Sequence, residues 1–181
     1  MILAEGQKIL KLDVGIIERV KLINFVDLMD VEKINVLRWR NHEAIRQWMY
    51  HSELISLDEH LSFIASLRQW EDKQYFMVRA QGHDLGVIDF VNIDFQQGSC
   101  DFGLYANPEI KIPHIGRQLI SAAIAYAFKV LKLHALYLEV FGDNTRAIKL
   151  YQQFNFSVLE HKKLDGKAIL RLSLHHSKGL I

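Results

Sequence analysis

The sequence is poor in cysteine and proline and has no excess of charge of either sign. Its 181 residues contain one cysteine, Cys100, so no internal disulfide can form, and no CxxC or HExxH pattern indicates a zinc site. Lys and Arg together number 22 and Asp and Glu 21, for a formal net charge of +1. This balance provides no broad cationic surface for nucleic acid or for an anionic membrane.

Long apolar runs are also missing. The longest strongly apolar stretch, residues 119–128, has about half of the roughly 20 residues that a membrane helix needs, so we interpret it as a core helix. Charges at Glu5, Lys8, Lys11 and Asp13 interrupt the start of the chain, which therefore lacks the apolar middle of a signal peptide. We expect a soluble cytoplasmic protein that binds neither nucleic acid nor membrane.

The remaining pattern favours one domain. We treat residues 1–18 as a loosely attached N-terminal extension and residues 19–181 as the domain. The pattern predicts, in this order, a strand at 20–25, a helix capped by Asp27 or Asp30, and a second helix that begins at the Ser56–Glu59 capping box. Three strands, a buried helix from Ile115, a strand, a short helix and two strands follow. This order predicts an α/β fold: a mixed, mostly antiparallel central sheet with helices on both faces.

The loop of residues 106–116 leads from the third of those consecutive strands into the buried helix. A helix N terminus presents unpaired N–H groups and the positive end of a dipole, which suits a pyrophosphate. By itself this is a weak signal for an anion site, because every helix that follows a strand and a loop has an N terminus of this kind.

A second segment, residues 138–156, is more specific. Asn144, Ala147, Tyr151 and Phe156 stand at the spacing of a motif of the GNAT superfamily of N-acetyltransferases, with Asn155 at the place of the usual glycine. Asparagine can also take the left-handed conformation that follows a helix. The sequence thus resembles the GNAT superfamily, and the resemblance implies the GNAT fold, acetyl-CoA as cosubstrate and no metal.

The pyrophosphate loop of that superfamily is matched less closely. Lys111 and Gly116 occupy its two ends, but His114 replaces the first glycine and Pro113 removes one backbone donor, so the loop geometry is open. The resemblance assigns coenzyme binding to one set of residues: Leu104, Tyr105, Lys111, His114, Ile115, Gly116, Arg117, Asn144, Ala147 and Tyr151. An amide near Leu104 or Tyr105 would stabilise the oxyanion.

A narrower resemblance covers residues 38–42, 48–49, 55–61, 86–92 and 102–105. Here the chain is similar to the GNAT enzymes of pseudaminic acid biosynthesis, which act upstream of flagellin glycosylation and acetylate the 4-amino group of UDP-4-amino-4,6-dideoxy-N-acetylaltrosamine. The resemblance implies that Arg40, His60 and Tyr105 bind the UDP-amino sugar, since arginine suits phosphate. Otherwise these residues would be two solvated side chains and a strand aromatic.

Three residues are candidates for catalysis. The resemblance assigns Tyr151 the role of general acid at the coenzyme sulfur, although a packing role would also account for a helix tyrosine. One candidate general base is Glu139, acting through water, although it could also be a carboxylate on the exposed face of its strand; the other is Asp89, whose apolar neighbours would raise its pKa by burial. Asn144 would be accounted for fully as a helix cap.

Other functions stay open at this stage. One is acetylation of protein N-terminal amines, as in GNAT enzymes that act on ribosomal proteins, and another is a non-catalytic acyl-CoA-binding module. The oligomeric state, including a homodimer, is also open.

Overall fold

The computed structural model describes residues 7–10 and 20–176. Within these residues one sheet runs in the strand order β1-β2-β3-β4-β5-β6-β8-β7. Only β5 and β6 are parallel neighbours, so the sheet is mixed and mostly antiparallel, as predicted. Its strands are β1 (Gln7–Leu10), β2 (Val20–Asn24), β3 (Gln74–Ala80), β4 (His83–Asp94), β5 (Ser99–Ala106), β6 (Ala135–Phe141), β7 (Ser157–Leu164) and β8 (Lys167–His175).

Helices cover both faces of this sheet. They are α1 (Asp30–Asn41), α2 (Glu43–Arg46), α3 (Leu57–Ser66), α4 (Ile115–Ala125), which continues as a π-helical turn at Tyr126–Val130, and α5 (Thr145–Gln153). Short 3-10 turns occupy Phe25–Asp27 and Leu67–Gln69. The fold class predicted from the sequence is therefore confirmed.

Two apolar cores explain this layering. The period of two along β4 sends Ile88 and Phe90 to a core shared with α4 and α5, and Val87 to a second core shared with Trp39 of α1 and Ile64 of α3. The apolar stretch at 119–128 lies in α4 and its π-helical turn, as expected of a core helix. Nowhere in the described ranges does a helix have the length and apolarity of a membrane span.

The start of α1 differs from the prediction. The N-cap residue is Met29, not Asp27 or Asp30, and its backbone N–H donates to Glu32 Oε2 at 2.8 Å. Glu32 is buried and also accepts from Arg79 Nη2 at 2.8 Å, so an ion pair anchors this turn to β3. The capping box of α3 is confirmed, with Glu59 N–H donating to Ser56 Oγ at 3.2 Å.

Part of the proposed N-terminal extension is described. Gln7–Leu10 forms the edge strand β1, which pairs antiparallel with β2 from Gln7↔Ile23 to Leu10↔Val20. Residues 1–6 and 11–18 lie outside the described residues, so the boundary at 18 and 19 stays a prediction.

Candidate active site

A cleft opens where β5 and β6 stop pairing. In the described part of the chain these strands pair only from Ser99↔Ala135 to Asp101↔Tyr137, although they continue to Ala106 and Phe141. The antiparallel partner β4 follows β5 as far as Ala106. Backbone N–H groups along a strand point alternately to the neighbouring strand on one side and on the other. Some of the N–H groups of β5 beyond Asp101 therefore face the gap beside β6. The predicted coenzyme residues Leu104 and Tyr105 lie on this free segment.

The loop after β5 is held firmly at its start. Asn107 is buried, its N–H donates to the Leu85 carbonyl at 2.8 Å, and its side-chain Nδ2 donates to the Asp84 carbonyl at 2.9 Å. Glu109 then accepts hydrogen bonds from Arg38 and, at 3.0 Å, from Trp39 Nε1. These contacts tie the loop to the sheet and to α1.

The loop ends in a conformation that glycine would favour. His114 has φ 61° and ψ 18°, the left-handed region, and it is the N-cap residue of α4. Histidine is among the non-glycine residue types enriched there, so the replacement of glycine does not prevent this geometry. The first turn of α4 contains no acidic residue and no side-chain cap in the described structure, while Lys111 and Arg117 are exposed nearby. This end of α4 can hold an anion.

The other predicted residues of this region pack α4 against α5. A Cβ added to Gly116 would lie 2.8 Å from Leu150 Cδ2, so the glycine permits the close approach of the helices. Ile115 is half-buried against the same core, and Arg117 Nη1 donates to Gln153 Oε1 at 2.6 Å.

The α5 motif has the geometry expected from its sequence. Asn144 Oδ1 accepts from the Ala147 N–H at 3.2 Å and so caps the helix, while Asn155 has φ 63°, as anticipated for the place of the usual glycine. Ala147 packs against the core. Whether Asn144 or Ala147 also contacts coenzyme stays a prediction.

Tyr151 is turned inward from α5. Only 8% of it is exposed, and its ring packs edge-on against Phe102 at 6.3 Å and Phe156 at 5.8 Å between centroids. Burial, and secondarily the charge of Asp89, raise the pKa of Tyr151 above its ordinary value. The hydroxyl therefore keeps its proton at neutral pH and is available as a donor.

Asp89 lies in a row across three strands, opposite Tyr75 of β3 and Gly103 of β5. A Cβ added to Gly103 would lie 2.7 Å from Asp89 Oδ2, so the glycine makes room for this carboxylate. Burial raises the pKa of Asp89 to about 7, and a hydrogen bond from the Gly103 backbone opposes the shift. A carboxylate with this pKa suits general base catalysis near neutral pH.

Glu139 lies on the same sheet face as Asp89. Asp89 pairs with Gly103, Asp101 is two residues from Gly103 on β5 and so shares its face, and Asp101 pairs with Tyr137, which is two residues from Glu139 on β6. Its environment is different. Lys162 Nζ donates to it at 2.9 Å and Arg171 Nη1 at 3.1 Å, and the Tyr50 hydroxyl donates to its other oxygen. Burial favours the neutral acid, but these hydrogen bonds outweigh it and hold the pKa of Glu139 below its ordinary value.

The residues predicted to bind the acceptor substrate lie in two separate places. Arg40 Nη2 donates to the His51 carbonyl at 2.8 Å, and Arg40 Nη1 is the one buried side-chain nitrogen or oxygen of the described residues without a hydrogen-bond partner. Burial raises the pKa of Tyr105, and the charges of Asp89 and Arg40 are close enough to act on it as well. The structure thus places Arg40 and Asp89 each near Tyr105.

His60 is farther along the helical layer. It is buried, and its Nε2 lies 3.1 Å from the Lys33 carbonyl, which joins α3 to α1. Burial lowers the pKa of His60 below its ordinary value. A role of His60 in acceptor binding stays a prediction.

Sequence reasoning missed the polar network around Glu139. Arg171 Nη2 reaches Asp101 at 2.8 Å, so Asp101, Arg171, Glu139, Lys162 and Tyr50 are connected. Strand alternation could have placed Lys162 and Arg171 on a polar face, but no local pattern identifies their partner. Among residues 7–10 and 20–176, no group of three or more His, Cys, Asp and Glu side chains could hold a metal ion.

Comparison with known proteins agrees with this geometry. The Acetyltransferase (GNAT) family model matches residues 39–156. The acetyltransferase PseH of Campylobacter jejuni (strain ATCC 700819 / NCTC 11168) is 43% identical over 161 residues, which cover 89% of this chain and 98% of the relative. The resemblance inferred from the sequence motifs is therefore confirmed.

Solved structures extend the comparison. The crystal structure of C. jejuni N-acetyltransferase PseH in complex with acetyl coenzyme A matches with a TM-score of 0.71 and 37% identity, covering 87% of this chain and 99% of that one. Spermidine N-acetyltransferase from Vibrio cholerae in complex with CoA and spermine matches with a TM-score of 0.77 at 22% identity, over 86% and 95% of the two chains, and shares the fold. The chain is an enzyme of the GNAT family of acetyltransferases.

Proposed function

We propose that this enzyme transfers the acetyl group of acetyl-CoA to the 4-amino group of a UDP-linked 4-amino-4,6-dideoxy sugar, in the cytoplasm and within pseudaminic acid biosynthesis. The likeness to PseH supports the pathway, and the acetyl coenzyme A bound in the PseH crystal supports the cosubstrate. One observation carries the proposal at the level of chemistry. Arg40, with its buried unpaired Nη1, and the carboxylate of Asp89 both lie near Tyr105, on the part of β5 that borders the β5–β6 cleft.

The coenzyme would lie across the mouth of that cleft. The free amides at the start of α4, with Lys111 and Arg117 beside them, suit its pyrophosphate. The β5 segment beyond Asp101 supplies backbone N–H groups for the thioester oxygen, and those of Leu104 or Tyr105 would stabilise the oxyanion. His114 contributes through its left-handed backbone, which directs the chain into the helix.

The transfer needs three proton movements. The acceptor enters as an ammonium ion, and the Asp89 carboxylate takes one of its protons, so the nitrogen lone pair is free to attack the thioester carbon. A C–N bond forms and the C–S bond breaks. The leaving sulfur takes the hydroxyl proton of Tyr151, and the phenolate, a strong base because the pKa of Tyr151 is raised, takes the second proton of the attacking nitrogen, which leaves a neutral amide and restores the tyrosine. Glu139 is the second candidate base, but its two cationic partners make it a weaker proton acceptor.

The acceptor site has to recognise a diphosphate without a broad cationic surface. Formal net charge is only +1, so affinity would come from a few placed groups. Nη1 of Arg40 is already desolvated and lacks a partner, and a phosphate oxygen would satisfy it. Tyr105 and, in the proposal, His60 would complete the contact with the nucleotide sugar.

The test is a coenzyme A release assay on parallel acceptors: the UDP-4-amino sugar, N-terminal peptides and spermidine, with UDP-N-acetylglucosamine as a nucleotide sugar that has no free amine. The proposal expects the highest kcat/KM for the UDP-4-amino sugar and no release with the control. Faster acetylation of peptides or spermidine would reject the acceptor assignment. Acetyl-CoA binding with no turnover on any amine would favour the non-catalytic module.

A further inference from the structure

The segment between α2 and α3 is held against the end of α1. We call residues 47–55 the arm. Its backbone accepts from Arg40 Nη2 at His51, at 2.8 Å, and from Arg46 Nη1 at Ser52, at 2.9 Å. Asn41 exchanges two hydrogen bonds with Ile55, at 2.8 and 2.9 Å. All these contacts come from α1 and α2, so they secure the arm on the helical side of the cleft.

The tip of the arm reaches the opposite side. Tyr50 donates its hydroxyl hydrogen to Glu139 Oε2 on β6, 89 residues away in sequence. Its ring packs edge-on against Phe141 of the same strand, with 5.7 Å between centroids. The arm therefore spans from α1 to β6, the strand that forms one wall of the cleft.

The carboxylate that accepts the Tyr50 hydrogen bond is oriented by other side chains. Glu139 Oε1 is occupied by Lys162 and Arg171, which leaves Oε2 for the tyrosine. Arg171 also bonds Asp101 at 2.8 Å and lies over the Tyr137 ring, 5.1 Å from its centroid. An ionised carboxylate oriented in this way is a strong acceptor for a phenol.

We propose that the arm roofs the acceptor end of the cleft and that Tyr50 is a positioning residue, which holds the roof closed through its hydrogen bond to Glu139. The inference rests on the proposed function in one respect, that the acceptor amine enters on this sheet face beside Asp89. Glu139 then acts through Tyr50 and has no contact with the amine in this scheme.

Closure also bears on Arg40. The arm carbonyl of His51 occupies Nη2, so a closed arm fixes the orientation of the guanidinium, whose Nη1 is buried and has no hydrogen-bond partner. When the Tyr50 contact is lost, the arm is held from the helical side alone. Acceptor binding then has to order the arm, which weakens affinity for the acceptor and leaves the coenzyme site at α4 unchanged.

The test compares Tyr50→Phe, Glu139→Gln and the double variant in steady-state kinetics. Each single variant should raise the KM for the acceptor about ten-fold, the usual effect of losing one charge-assisted hydrogen bond. The double variant should raise it no further, because both changes remove the same contact. The Kd for acetyl-CoA and the pH dependence of kcat should match the wild type. Amide hydrogen exchange in residues 47–55 should be faster in all three variants.

Tyr137→Phe is the matched control. It removes a hydroxyl two residues from Glu139 on the same strand and keeps the ring that contacts Arg171 and His175. Its acceptor KM and the exchange of the arm should equal those of the wild type.

Two results would overturn the inference. In the first, Glu139→Gln lowers kcat about a hundred-fold or more and changes the pH profile of kcat, while Tyr50→Phe does neither. Glu139 is then the general base and not the hydrogen-bond acceptor that holds the arm. If hydrogen exchange in 47–55 is the same in Tyr50→Phe and wild type, the contact does not hold the arm. Should the wild type acetylate another amine, the proposed acceptor fails, and the same comparison on that amine still decides the role of Tyr50.

Discussion

Replacing Asp89 by Asn should lower activity and raise stability at the same time. The side chain is half-buried between Tyr75 and Gly103 in the sheet, and this burial raises its pKa from 3.8 to about 7. Asparagine has nearly the same shape and stays neutral at every pH. The substitution therefore removes both the proposed base and the cost of ionising a half-buried carboxyl.

The size of the stability effect follows from linkage. The folded protein holds the Asp89 proton more tightly than the unfolded chain, so this residue lowers stability as pH rises from about 3.8 to about 7. Above pH 7 the full cost applies, and a difference between 3.8 and about 7 corresponds to about 4 kcal/mol. Below 3.8 both states are protonated and the cost vanishes. The gain in Asp89→Asn should be smaller than this figure, because the amide nitrogen also needs a partner.

Urea unfolding of wild type and Asp89→Asn at pH 4 and pH 8 measures the effect. The variant should be more stable than wild type at pH 8 and close to it at pH 4. Its turnover should fall by about 10² to 10⁴-fold, the usual contribution of a general base. In the wild type the acidic limb of kcat/KM should titrate near pH 7, where Asp89 ionises. A variant with full activity and no gain in stability at pH 8 would refute both the burial argument and the role of Asp89.

Three other substitutions test separate parts of the site. Tyr151→Phe should keep the fold and coenzyme affinity and lower kcat by about 10² to 10⁴-fold, because only the donated proton is missing; unchanged turnover would leave Tyr151 a packing role. Arg40→Ala should raise the KM for the nucleotide sugar roughly ten- to a hundred-fold and leave that for acetyl-CoA unchanged; equal changes in both would contradict the assignment. His114→Gly should remove the cost of a left-handed non-glycine residue and raise stability by up to about 1 kcal/mol in thermal unfolding, and a loss of stability would show that the histidine side chain stabilises the loop.

Local features of this protein were predictable from its sequence. The capping box at Ser56 and the α5 motif from Asn144 to Asn155 appear in the structure as expected, with the cap on Ala147 and the left-handed residue after the helix. Hydrogen bonds of this kind join residues two to five positions apart, so their geometry follows from a short stretch of chain. The GNAT motif is one such stretch, which is why the family was recognisable from it.

The start of α1 shows where local patterns fail. Asp27 and Asp30 are good cap residues by type, but the helix begins behind Met29, because buried Glu32 accepts the Met29 N–H and pairs with Arg79 on β3. That preference depends on a strand more than 40 residues away. A sequence window contains no information about it.

The two candidate bases show the same division most clearly. Asp89 and Glu139 are both carboxylates with apolar residues directly before and after them in the chain, and the sequence left the choice between them open. Tertiary structure places Asp89 in a row across three strands, where burial outweighs the hydrogen bond from the Gly103 backbone and raises its pKa to about 7, and places Glu139 among Lys162, Arg171 and Tyr50, which lower its pKa. The types and spacing of residues thus determined the family and the chemistry available. The protonation of each carboxylate depends on burial and on charges from distant strands, and only the assembled sheet brings those together.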